Sequence, residues 1–389
     1  MNDLRSAFDA VTAAELHQSS RIKWTLYGPD VLPAWVADMD FPVAPAIRQA
    51  VQALVERNDL GYHAVPLSPE LRETFVSRMA ERFSWQVDPR SVWPLVNVVQ
   101  GLDASILLHT KPGQGVIVQT PIYPPFLAAV EHSERRLVEN PLVRGASRFE
   151  IDFDQLEASI DDDTRLFMLC NPHNPTGRAF ERSELLQLGE IVLRHDLIVV
   201  SDEIHGDLVY AGHEHVPFAS LSPELAERTI TLTAATKAFN IAGLPIAFAV
   251  FGSQELKQPF RKLPPHVLGH GGILDDAATL AAWTDGQAWL DAVLSYLAEN
   301  RQRVIAFFSE RFPGVRLLPP DATYLAWLDF QELDLPGNPR EFFLERGRVA
   351  LSPGSDFGSQ GERCARLNFA TSKNILEAIL ERMAKALES

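Results

Sequence analysis

Apolar residues recur along the chain at two different periods, and the alternation between them outlines the fold. From about residue 90, short apolar runs alternate with helix-like blocks. Val116-Ile117-Val118 lies between Gly115 and the turn-prone Thr120-Pro121, and Leu166-Phe167-Met168-Leu169 ends at Asn171-Pro172. Leu197-Ile198-Val199-Val200, Thr229-Ile230-Thr231-Leu232 and Ile246-Ala247-Phe248-Ala249-Val250 read as further buried strands. Between Ser183 and His195, Leu185, Leu186, Leu188, Ile191 and Val192 suit one helix face, as do Ile47, Val51, Leu54 and Val55 after Pro45. The first 45 residues, punctuated by Pro29, Pro33, Pro42 and Pro45, read as irregular. Short strands alternating with helices predict a mostly parallel sheet covered on both faces.

Past about residue 287 the character changes. A long helical stretch, Trp289 to Arg311, leads into a strand over Thr323 to Leu328 and a helix around Arg340 to Arg346. A strand at Arg366 to Phe369 and a closing helix from Asn374 to Leu387 follow. The expectation is an α/β protein. Residues 46–286 form a large domain with a mostly parallel sheet, and residues 1–45 with 287–389 form a smaller α+β domain with an N-terminal arm.

Charge then narrows the partners. The 389 residues carry a net charge of −16, which opposes general nucleic-acid binding because phosphates need a basic face. A local pocket can still hold a small anion. Only Cys170 and Cys364 are present, so no disulfide framework or cysteine-based metal site is expected. His213 and His215 have no acid or cysteine cluster at metal-binding spacing, and no metal is expected. The opening stretch Met1 to Arg5 has no long apolar segment after its charges, and no run approaches the ~18 apolar residues of a membrane span. These features predict a cytoplasmic protein.

The most polar stretches follow predicted strand ends, where open α/β sheets bind their ligands. Asn171-Pro-His-Asn-Pro-Thr-Gly177 follows one strand, Asp202-Glu-Ile-His205 another, and Thr236-Lys237-Ala-Phe-Asn240 a third. Each alone is weak: the first is a good turn, the second an ordinary acidic cap, the third a lysine of the kind usually found on surfaces.

Together, in this order, they resemble the fold-type I pyridoxal-phosphate enzymes of the class I/II aminotransferase superfamily, across essentially the whole chain. Within it the chain is most similar to cystathionine β-lyases and carbon–sulfur lyases of the MalY/PatB type. The pointers are Trp35-Val-Ala-Asp-Met-Asp-Phe41, Gly61-Tyr62, Ser201-Asp-Glu-Ile-His205, Lys237-Ala-Phe-Asn-Ile-Ala-Gly243 and Thr323-Tyr-Leu-Ala-Trp-Leu-Asp329.

The resemblance implies roles residue by residue. Pyridoxal phosphate is an electron sink that the protein must bind, orient and tune. Lys237 matches the lysine that holds the cofactor and moves the Cα proton, which requires a partly deprotonated amine. Asp202 matches the buried carboxylate that keeps the pyridine nitrogen protonated. Asn174 matches the amide donor to the phenolic oxygen, and Tyr123 the aromatic plate over the ring. Val98, Val99 and Gln100 match the backbone donors of a phosphate-binding helix start, and Thr236 a hydroxyl donor. Tyr62 matches a tyrosine that reaches the phosphate from a second subunit, which implies a homodimer. Arg366 matches the arginine that grips the substrate carboxylate, for which lysine lacks the fork geometry. Tyr324 and Asp38 are taken as substrate-binding. Asp38 and Asp40 either line substrate access or tie the arm to the domain interface.

Three departures stand out. Aminotransferases usually carry a hydroxyl residue three before the lysine and an arginine eight after it, where this chain has Ala234 and Pro245. They commonly carry tyrosine three after the aspartate, where this chain has His205, as the lyase branch does. His205 is either a structural histidine or a group close to the cofactor ring. The implied activity is β-elimination from L-cystathionine or a related L-cysteine conjugate. The alternative is an aminotransferase acting on a small amino acid.

Overall fold

A computed structural model describes residues 2–62, 65–264 and 266–389. Its centre is a seven-stranded sheet. The strands are β1 (Val92–Leu95), β2 (Gly115–Val118), β3 (Arg136–Glu139), β4 (Thr164–Cys170), β5 (Ile198–Asp202), β6 (Thr229–Thr233) and β7 (Ala247–Phe251). Their order is β1-β7-β6-β5-β4-β2-β3. Strand β7 is antiparallel to both neighbours, and every other adjacent pair is parallel.

Alternate side chains of a strand point to opposite faces. On one face Val116, Val118, Leu166, Met168, Val200 and Ile230 pack with Leu102, Ile106, Phe126, Val130 and Phe260 of the helices Val98–His109, Pro124–His132 and Gln254–Arg261. On the other, Ile117, Phe167, Leu169 and Val199 meet Leu156, Leu185, Leu188 and Val192 of Phe153–Ser159 and Arg182–Arg194. Burial on both faces explains why these strands are continuous apolar runs rather than alternating ones. The α/β class expected from the sequence is the one found.

A second sheet of three strands has β8 (Leu325–Asp329), β9 (Ser352–Pro353) and β10 (Cys364–Asn368) in the order β8-β10-β9, all antiparallel. The helices Gln287–Arg311 and Lys373–Glu388 contribute to the same buried cluster.

One expectation needs correction. The first 45 residues are not simply irregular: they include the short helices Asn2–Asp9, Ala13–Leu16 and Ile22–Thr25. Thr12 starts the second of these with a capping box, exchanging hydrogen bonds with Glu15, which offsets the poor length of the segment. The helix expected around Arg340 to Arg346 is found, as one α-helical turn over Pro339–Phe342 that runs into a wider π-helical turn over Phe343–Gly347.

Candidate active site

The parallel strands β1, β2, β4, β5 and β6 end at one rim, and their following loops line a cavity of about 180 Å³. Asp202 is the last residue of β5 and is buried. Its Oδ1 accepts the Ile204 N–H at 3.0 Å, so the chain turns back on the carboxylate. Burial raises the Asp202 carboxyl to about 7, with the Ile204 bond and Lys237 opposing and Glu203 adding to the rise.

Lys237 lies in the turn after β6. Its amine donates to the Ala37 carbonyl at 2.7 Å. Burial lowers the amine to about 8; Asp38 and Asp202 pull it upward, and Arg366 pushes it further down. A lysine in this state is partly deprotonated near neutral pH, as a nucleophilic amine requires.

The Asn171–Gly177 loop is folded on itself. Asn171 Oδ1 accepts the Phe180 N–H at 3.0 Å, and the His173 carbonyl accepts the Gly177 N–H at 2.8 Å. Gly177 sits at φ +72°, and a Cβ there would come within 2.3 Å of Pro320 Cβ, so the position demands glycine. The loop aims Asn174 into the cavity. Asn174 Oδ1 accepts from Arg366 at 2.9 Å, and its N–H₂ has no hydrogen-bond partner among the described residues. Tyr123 lines the cavity beside it, its N–H bonded to the Asn174 carbonyl at 3.0 Å.

The helix Val98–His109 starts at the same rim. Val98 and Val99 line the cavity, and the first amides of a helix have no intrahelical partner. Gln100 differs from expectation. Its N–H bonds the Asn97 side chain at 2.9 Å, while its own side chain ties Val96 to Leu268, and it does not line the cavity. Asn97, whose Oδ1 accepts the Gln100 N–H, lines the cavity at this turn together with Val98 and Val99. An asparagine just before an apolar helical run is an N-cap signal that could have flagged Asn97. Thr236 lines the cavity, as do Ala234 and Pro245 at the two departures.

Arg366 projects from β10 opposite Trp327. One guanidinium nitrogen donates to Asn174. The other donates to the Trp35 carbonyl at 2.9 Å and to Ser352 Oγ at 3.1 Å. Its Cζ lies 4.9 Å from the Phe357 ring centre, and its Nε has no partner among the described residues. Burial lowers it to about 10, which leaves the cation intact at neutral pH. Arg366→Lys should weaken binding of carboxylate-bearing substrates by about 2–5 kcal/mol, because a buried fork becomes a point contact. Comparing inhibition by an amino acid and by the matching amine checks this: equal losses for both would remove the assigned role.

The arm Trp35 to Phe41 brings Ala37 to the cavity wall. Tyr324 hydroxyl donates to the Ala37 carbonyl at 3.0 Å, the same oxygen that Lys237 holds. Asn368 donates to the Val36 and Asp38 carbonyls, and Asn240 bridges Met39 and Phe41. Asp40 is buried between Lys23 at 2.8 Å and Trp24 at 2.7 Å, so of the two readings it ties the arm down. Asp38 is half-buried and is the charged group with the strongest pull on Lys237. His205 lines the cavity with Nδ1 unpartnered among the described residues, and burial lowers it to about 3, so it is neutral at working pH. Tyr62 stands apart, fully exposed on the described chain.

The sequence reading missed Glu203. Its carboxylate accepts from Ser201 Oγ at 2.8 Å and from the Phe218 N–H at 3.0 Å, and it meets His215 Nε2 at 3.0 Å. This clasp closes the loop that carries His205.

A family model described as aminotransferase class I and II matches residues 36–383. The chain belongs to this family. Among its members, cystathionine β-lyase PatB of Bacillus subtilis (strain 168) is 39% identical over 375 residues, 94% of this chain and 96% of PatB. Two solved structures share the fold over nearly their full lengths. Cystalysin from Treponema denticola, which contains a pyridoxal 5′-phosphate cofactor, has a TM-score of 0.92 at 31% identity, with 98% of each chain covered. The pyridoxal-phosphate-bound C–S lyase from Staphylococcus hominis has a TM-score of 0.91 at 30% identity, again with 98% of each covered. Both of these structural neighbours carry pyridoxal 5′-phosphate.

Proposed function

We propose that this chain is a pyridoxal-phosphate-dependent carbon–sulfur β-lyase acting on L-cystathionine or related L-cysteine conjugates. The observation that carries the reading is the 39% identity to a cystathionine β-lyase over 94% of the chain. In the reaction the Cβ–S bond breaks, one water is consumed, and the products are pyruvate, ammonia and a thiol.

The cavity fits the cofactor. It presents a buried carboxyl with one backbone donor, a partly deprotonated amine, a free amide donor and a helix start. Bound pyridoxal phosphate supplies an electron sink for the charge left when the Cα proton departs. Lys237 holds it and moves that proton. Asp202 keeps the ring nitrogen protonated, Asn174 donates to the phenolic oxygen, and Tyr123 covers the ring. Val98 and Val99 with Asn97 and Thr236 hold the phosphate. Ala234 and Pro245 bring no hydroxyl or cation there, so backbone amides carry that charge. Arg366 takes the substrate carboxylate, and Tyr324 fixes the arm against it. Neutral His205 borders the ring without adding charge.

The same reading makes the enzyme a homodimer, since Tyr62, exposed on one copy, then serves the phosphate of another. It also divides the chain into a large domain over 46–286 and a smaller one over 1–45 and 287–389. Two buried free cysteines suit a cytoplasmic enzyme. No helix among the described residues is long and apolar enough to cross a membrane.

The deciding experiment supplies L-cystathionine without any keto acid. Elimination returns the cofactor unchanged each cycle, so pyruvate, ammonia and homocysteine should accumulate steadily. Transamination stops after one half-reaction without an acceptor. If alanine with 2-oxoglutarate turns over much faster than any thioether, the aminotransferase reading replaces this one.

A further inference from the structure

Asp202 is not the only buried acid at the end of β5. The next residue, Glu203, has a side chain only 4% exposed and lies outside the lining of the main cavity. Its Oε1 accepts from Ser201 Oγ and the Phe218 N–H, and its Oε2 meets His215 Nε2 at 3.0 Å. No lysine or arginine among the described residues pairs with it. The net charge of this buried pair therefore depends on where the imidazole of His215 carries its proton.

The surroundings of His215 answer that. Its Nδ1 is buried and has no partner among the described residues. A gap of about 10 Å³ beside the ring is also lined by Trp283, whose Nε1 is likewise unpartnered and can only donate. Asp207, the other acid at this gap, is held by Arg78 and Arg82. A proton on Nδ1 would be a buried donor facing another donor. A bare Nδ1 is the complement, and it leaves the ring proton on Nε2, where it serves Glu203. Gly206 packs against the ring and fixes it: a Cβ there would lie 2.8 Å from His215 Cδ2.

Glu203 is then an anion beside a neutral histidine, one residue from Asp202. Its charge reaches Asp202, where it adds to the rise of the carboxyl while Lys237 opposes it from the turn after β6. Tyr123 and Cys170 also feel Asp202. We propose that Glu203 is a positioning residue acting through Asp202: its buried charge helps hold the proton shared by Asp202 and the ring nitrogen of the cofactor, without touching the cofactor. This rests on the assignment of Asp202 to that nitrogen. A protonated ring is a cation, which Glu203 attracts; a neutral ring gives that charge nothing to act on.

The readout is the dissociation constant of pyridoxal phosphate at pH 8, from equilibrium dialysis of the holoenzyme. Glu203→Gln removes the charge and keeps an acceptor for Ser201 and Phe218, and it should weaken cofactor binding about tenfold. In the Asp202→Asn chain the ring nitrogen meets a neutral amide and stays unprotonated, so the same substitution should change affinity less than about twofold. His215→Lys sets a cation against the same carboxylate and should reproduce both results, which covers a Glu203→Gln chain that does not fold. An unmoved affinity, or an equal loss in both backgrounds, overturns the proposal, since a loosened clasp would act on either. If Asp202→Asn alone binds pyridoxal phosphate as tightly as the wild type, the ring-nitrogen assignment falls and takes this proposal with it. If Asp202→Asn weakens binding and neither Glu203→Gln nor His215→Lys does, only the role of Glu203 falls.

Discussion

Lys237→Ala should reduce pyruvate release from L-cystathionine by about 10⁴-fold, because in the proposed function one side chain both tethers the cofactor and moves the proton. No other amine lines the cavity among the described residues. A wild-type-like rate in this variant would remove the central assignment. A second effect separates chemistry from folding. Burial lowers the Lys237 amine from 10.5 to about 8. Between those values the unfolded chain holds more protons than the folded one, so stability rises with pH across that window. Below about pH 8 the folded state bears the full cost of a charged, buried lysine. Lys237→Met should therefore raise the melting temperature of the cofactor-free protein at pH 7, with the gap narrowing as pH approaches 10.5. Melting curves at several pH values check this, and a wild type that melts higher at pH 7 contradicts it.

The strands that the sequence revealed are the ones in the middle of the sheet. Residues 116–118, 166–169 and 229–232 are buried on both faces, so their apolar runs are unbroken. The edge strands β1 and β3 escaped notice for a physical reason. Pro94 interrupts β1, and Arg136 and Glu139 flank Leu137 and Val138 in β3. An edge strand tolerates proline and polar residues because one side of its backbone needs no partner. The cavity was legible in part. Lys237, Asp202, Asn174, Tyr123, His205, Thr236, Val98 and Val99 all line it. They could be found because loops after parallel strands converge at one rim. What the sequence hid are contacts made by main chain. The Ala37 and Trp35 carbonyls, which hold Lys237, Tyr324 and Arg366, have no side-chain signature. Glu203 was hidden by its neighbour: it follows the last residue of β5, and its carboxylate is taken up by Ser201, Phe218 and His215 rather than by the cavity. The clasp to His215 is a contact across twelve residues that no local pattern encodes.

Asp202→Ala should retain the cofactor and lose about 10³-fold or more in turnover, since a protonated ring nitrogen is what lets the cofactor accept charge. Asp202→Asn probes the same group without a cavity. Burial raises the Asp202 carboxyl from 3.8 to about 7 in the cofactor-free chain. Across that window the folded state binds more protons than the unfolded one, so the group's contribution, fully present below pH 3.8, is lost as pH rises through 7. At pH 8 an ionised, buried Asp202 with one backbone donor is a burden on the empty site. Asp202→Asn should then melt higher than the wild type at pH 8, and the two should converge below pH 4. A bound pyridinium would give the carboxylate a cationic partner, so pyridoxal phosphate should raise the wild-type melting temperature more than that of Asp202→Asn. Melting curves at pH 4 and pH 8, with and without pyridoxal phosphate, decide the matter. If the wild type is already the more stable at pH 8 without cofactor, and the cofactor stabilises both chains equally, Asp202 is not the partner of the ring nitrogen.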